Sequence, residues 1–128
     1  CSVKQKEIMA NQIVWVDIPV KDLDRAIRFY SSVLGTQVKK EQFPEMAIGI
    51  LPHDEGEVGG CLFKREGEEP STKGPLLYLN ANGRLDQAIA AVEANGGKVT
   101  QAKHQIGPYG FRALIQDSEG NRVALHSD

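Results

Sequence analysis

The sequence predicts an α+β protein made of two tandem βαβββ modules, whose curved mixed sheets surround a cleft. Three observations carry this. The stretch LDRAIRFY (Leu23 to Tyr30) returns as LDQAIAAV (Leu85 to Val92). A strand-like run precedes each copy, and a short strand follows it. Each half then ends in two strands around an acidic, glycine-bearing turn. Chance likeness between two amphipathic helices would explain the first observation but not the matched order of the rest.

Taken in order, IVWVDIPV (Ile13 to Val20) is β-branched and reads as a strand. Leu23, Ala26, Ile27 and Tyr30 follow at helical spacing, with Val33 and Leu34 extending the stripe. Asp22 is the predicted N-cap, and Gly35 the stop. TQVKK (Thr36 to Lys40) is the next strand, and Ala47 to Lys64 holds a strand pair around HDEG. In the second half LLYLNA (Leu76 to Ala81) precedes the helix, whose apolar stripe is Leu85, Ala88, Ile89 and Val92. Asn95-Gly96-Gly97 ends that helix. KVTQA (Lys98 to Ala102) and a pair around DSEG, from Arg112 to Ser127, complete the pattern. The expected organisation is a flexible arm at 1–11, a first module at 12–65, a polar linker at 66–75 and a second module at 76–128. One module is too small to bury its own sheet face, so the two are read as one domain. A ferredoxin-like βαββαβ sandwich has too few strands for this pattern.

The bulk numbers narrow the function. The 128 residues carry a net charge of −2, with 41% apolar and 25% charged residues. No basic run marks a nucleic-acid or membrane surface, and no apolar stretch approaches the ~18 residues of a membrane span. The expected partner is a small molecule, with neither nucleic acid nor membrane. Cys1 and Cys61 read as free thiols of a reducing compartment, which suggests a cytoplasmic location.

DIPVKDLDRAIRFYSSVLG (Asp17 to Gly35), NGGKV (Asn95 to Val99) and QDSEGNRVAL (Gln116 to Leu125) together resemble the vicinal oxygen chelate superfamily. That superfamily groups glyoxalase I, extradiol dioxygenases and bleomycin-resistance proteins. Within it the chain is similar to the small lactoylglutathione-lyase-related group. Ser118 stands where the family pattern has proline. The resemblance implies a homodimer, and in metal-dependent members one ion ligand on the first and last strand of each module. Those positions fall here on Trp15, Gly60, one of Pro75 to Leu77, and Ala124, none of which offers a ligand. Sliding each strand by two residues offers Asp17, Leu62, Leu79 and His126, of which only Asp17 and His126 are ligand types. The expectation is therefore no metal and no cofactor.

Metal-free, the cleft should be apolar and aromatic. The predicted ligand-binding residues are Trp15, Asp17, Leu77, Leu79, Tyr109, Phe111, Ala124 and His126. Trp15 and Asp17 alternate with Val14, Val16 and Ile18, so they should face the cleft while the aliphatics pack under the helices. Trp15 would stack on a ligand or simply fill the core. Apolar walls would suit Asp17 to proton transfer, with His126 at the rim as a second proton carrier; the plainer readings are a bonded carboxylate and a solvated imidazole. Tyr109 and Phe111, in GPYGF, form a lip or a plain turn. Arg112 meets an anionic ligand or a surface carboxylate. Cys61, next to Gly60, should point away from the cleft. Two functions follow: a metal-independent small-molecule binding protein, or an isomerase or lyase using Asp17 with His126. A metal-dependent glyoxalase-like enzyme is the third.

Overall fold

The computed structural model describes residues 11–128; Cys1 and most of the N-terminal arm lie outside them. Asp22 has an extended backbone (φ −135°), and its carboxylate accepts the Arg25 N–H at 3.1 Å. This caps α1 (Leu23–Leu34) as predicted. Gly35, at φ +70°, turns the chain out of the helix while its N–H donates to the Ser31 carbonyl. Ala26, Ile27, Phe29, Tyr30 and Val33 form its buried stripe. The second helix, α2 (Leu85–Ala94), buries Leu85, Ala88 and Val92.

The strands of the first half are β1 (Trp15–Pro19), β2 (Lys39–Gln42), β3 (Ala47–Ile50) and β4 (Gly59–Phe63). They form a sheet in the order β1-β4-β3-β2, with β1 parallel to β4 and the other pairs antiparallel. The second half repeats this with β5 (Leu77–Asn80), β6 (Lys98–Gln105), β7 (Phe111–Gln116) and β8 (Arg122–Ser127) in the order β5-β8-β7-β6. A right-handed β–α–β crossover is the ordinary way to join a parallel pair, and each half spends its one helix on it. The fold class is thus the predicted α+β arrangement of two βαβββ modules with mixed sheets. β2 starts later than the sequence suggests, and β6 runs longer, through two register irregularities.

The helices pack against each other, so the helix-bearing faces of both sheets share one core. Ile18, Leu62 and Val38 enter it from the first half, and Leu79, Ile115, Val123 and Leu125 from the second. Gly49 lies directly beneath α1; a Cβ there would meet Ile27 and Val38 side chains. The other face of each sheet is left partly open.

The halves are locked by the β7–β8 turn. Glu119, only 5% exposed, reaches α1 and accepts from the backbone N–H groups of Lys21 (2.9 Å) and Asp22 (2.8 Å). The Arg25 guanidinium donates to both its oxygens, at 2.7 and 2.9 Å. Asp117, equally hidden, accepts from the fully buried Tyr30 hydroxyl and from the Asn121 amide. Asn121 in turn donates to the Pro19 carbonyl at 2.8 Å. The motif DSEGN is therefore a polar plug fitted to the N-terminus of α1, where donors go unsatisfied and negative charge is favoured. The 66–75 segment is tied to the same corner, through Ser71 on Asn121 and Gly74 on Arg122.

Candidate functional site

The cleft between the halves is an open groove of about 560 Å³. Val16, Leu51 and Gly60 wall one side, with Leu34 and Thr36 from the end of α1; Leu77 to Asn80 of β5 wall the other. His53, Asp54 and Glu57, from the loop joining β3 to β4, and Asn82, just before α2, give it a polar mouth.

On the open face of the first sheet, Trp15 is 43% exposed. His53 stands edge-on to it, ring centroids 5.8 Å apart. Its indole N–H donates to Asp17 Oδ1 at 2.8 Å, and the Cys61 thiol donates to the same oxygen at 3.3 Å. Burial first, and then the Asp17 carboxylate, push the Cys61 thiol up to about 11. Cys61 is paired directly with Asp17 across β1 and β4, so the two share a face, and Gly60 takes the helix side. Gly60 and its partner Val16 line the groove and Cys61 does not, so Cys61 points away from the cleft as expected. Trp15 and Asp17, expected to face the cleft, take the other side of β1 and do not line the groove. The apolar enclosure expected around Asp17 is also missing, because that residue is exposed.

On the second sheet the register pairs Tyr78 with Ala124 and Asn80 with His126. Ala124 and His126 take the open face and do not line the groove, and Ala124 is fully covered by its neighbours. Leu77 and Leu79, on the helix side of β5, line the groove along its β5 wall. Tyr78, between them, is the open-face residue and is 45% exposed. His126 packs edge-on to it at 6.1 Å and hydrogen-bonds the Tyr109 carbonyl through Nε2 at 2.6 Å. Tyr109 itself, in a single 3₁₀ turn, is 74% exposed. Phe111 is no lip. It shares strand parity with the buried Ala113 and Ile115, and Lys103 lies over its ring at 5.9 Å.

Arg112 was the residue whose partner the sequence left open. It has no salt bridge among the described residues. Its Nη1 donates to the Tyr78 hydroxyl and its Nε to His104 Nε2 at 3.1 Å. Tyr78 and this pairing escaped the sequence reading. The alternation Leu-Tyr-Leu in β5 was the available signal, once its register was known.

The metal site of metal-dependent relatives does not fit here. Among the described residues, no three His, Cys, Asp or Glu side chains converge. Asp17 and His126, the best pair in the sequence, sit on different sheets with separate partners.

The profile of the Glyoxalase/Bleomycin resistance protein/Dioxygenase superfamily matches residues 12–125. The chain belongs to that superfamily. A glyoxylase-like domain-containing protein of Didymella fabae is 31% identical, over 92% of this chain and 94% of its own. Among solved structures, a glyoxalase/bleomycin resistance protein from Albidiferax ferrireducens superposes with TM-score 0.73 at 18% identity, covering 92% of this chain and 99% of that one. A glyoxalase-related enzyme from Fulvimarina pelagi gives 0.69 at 13%, covering 92% and 88%. At these identities the two structures establish the glyoxalase fold alone. No described helix is long and apolar enough to cross a membrane.

Proposed function

We propose that this superfamily member binds a small organic molecule in the inter-module groove without a metal ion. One observation carries the reading: aliphatic walls beside the half-exposed Tyr78 ring, with no convergent ligand set to hold a cation among the described residues. A cleft of several hundred Å³ with apolar walls and a few polar groups suits a flat molecule of modest size. Without a Lewis acid, the electrophilic chemistry of the metal-dependent relatives has no source in these side chains. The alternative, an isomerase or lyase, would rest on Asp17 alone, because His126 is committed elsewhere.

Trp15 is the only tryptophan and stands edge-on to His53, which lines the groove's mouth, so its fluorescence reports on that side of the groove. Titration with a panel of flat aromatic compounds should give saturable changes that survive excess chelator. Stoichiometric divalent metal in protein purified without chelator, or binding abolished by chelation, overturns the reading. Asp17→Asn separates the two functions. A binder keeps its affinity, whereas an acid–base enzyme loses turnover by about 10²-fold or more.

A further inference from the structure

We propose that Arg112 and Tyr78 form a receptor for a carboxylate on the groove ligand, which deepens the binding role above and rests on it. The open face of the second sheet carries Arg112, Arg122 and Lys98, with His104 and His126 among them. β5–β8 contain no acidic residue at all. The first sheet's open face, by contrast, bears Asp17 and Glu41 beside Lys39.

Arg112 is held in place by neutral partners. A guanidinium nitrogen can only donate, so His104 Nε2 must accept; the imidazole proton then sits on Nδ1, which faces the Ala102 carbonyl at 2.9 Å. The tyrosine hydroxyl also accepts from Arg112, and its ring lies beneath the guanidinium carbon at 5.9 Å. These contacts fix the plane and direction of the side chain but cancel none of its charge. Of five N–H donors, Nε and one on Nη1 are used. One N–H of Nη1 and both of Nη2 keep no protein partner, donors of the kind that hold a carboxylate through two charge-assisted hydrogen bonds. The Tyr78 hydroxyl, already accepting, has its own proton free to give to the same anion. Tyr78 also lines the groove, so an anion held by these donors leaves an apolar body lying against β5. Other arginines are spent differently: Arg25 on Glu119, Arg84 on the Val33 carbonyl at the end of α1.

The probes are 2-naphthoate, its neutral amide 2-naphthamide, and inorganic phosphate. The readouts are calorimetry and the Nε–H resonance of Arg112 in the whole protein. Naphthoate should bind at least about tenfold more tightly than the amide, and shift that resonance. Arg112→Met should reduce the preference to near unity while amide binding persists. Tyr78→Phe keeps the ring and should lose part of the preference, which guards against misfolding of the arginine variant. Equal binding of acid and amide overturns the carboxylate receptor and leaves the groove reading standing. Phosphate saturating the site where naphthoate does not overturns it in favour of a phosphate source. If neither naphthyl compound binds at millimolar concentration, both readings fall.

Discussion

The two acidic turns of the repeat occupy corresponding places and do opposite things. In the second half, Asp117 to Asn121 packs its carboxylates against the N-terminus of α1, and nothing is left open there. In the first half, His53 to Glu57 stands off from the N-terminus of α2, and the gap is the groove. The helices reflect this. α1 has both its own Asp22 and the visiting Glu119 as acceptors, whereas α2 starts at Arg84 with no side-chain cap. A duplicated corner has thus become a fastening in one copy and a hollow in the other. The same carboxylate chemistry holds the molecule together only where backbone donors come within reach.

Removing the fastening should have the largest effect. Glu119→Ala leaves the Lys21 and Asp22 N–H groups without their acceptor and strips Arg25 of its partner. A loss of about 3 kcal/mol in urea unfolding is expected. The mirror change in the hollow, Glu57→Ala, should be close to neutral. Equal costs at the two turns would erase the contrast.

Acid should reveal the same asymmetry. Burial alone would raise the Glu119 carboxyl, but hydrogen bonds from Arg25, Ser118, Asp22 and Lys21 outweigh it and hold it down at about 2. Its folded value lies below its ordinary 4.5, so its stabilisation is fully present above pH 4.5 and fades as the pH falls towards 2. Melting temperature should therefore drop across that window in the natural protein, and drop less steeply in Glu119→Gln. Tyr30→Phe is a smaller perturbation. It deletes one buried hydroxyl, and Asp117 keeps its bonds from the Glu119 and Asn121 backbones. A cost of about 1 kcal/mol, measured in urea, is expected.

How far the sequence reached depended on chain distance. Both helices and their ends were legible, because a 3.6-residue stripe and a capping residue are local signals. Which residues of a strand share a face was legible, because alternation is local. Which of the two faces borders the groove was not: Val16, and not Trp15 or Asp17, lies beside Gly60 along it, and Ala124 and His126 turn to the other side of the second sheet. The environment of Arg112 was beyond reach: its tyrosine partner lies 34 residues away, on a strand joined to β7 only through β8. The DSEGN motif was visible, but its job as a plug appears only when α1 of the other half arrives.

Cys61 tests the finest part of the contrast, the face where the first half keeps its carboxylates. Its thiol is covered and donates to Asp17, so it should stay protonated and react slowly with a disulfide reagent at pH 8. Cys1→Ser removes the other thiol from the measurement. In that background Asp17→Asn deletes the negative charge but not the burial, which is the larger cause. The rate should therefore rise only a few-fold, and the apparent thiol pKa should fall but stay above its ordinary value. A rise by orders of magnitude would mean that the carboxylate, and not the covering of the thiol by its strand neighbours, governs this face. The open side of the first sheet would then be as charge-dominated as that of the second.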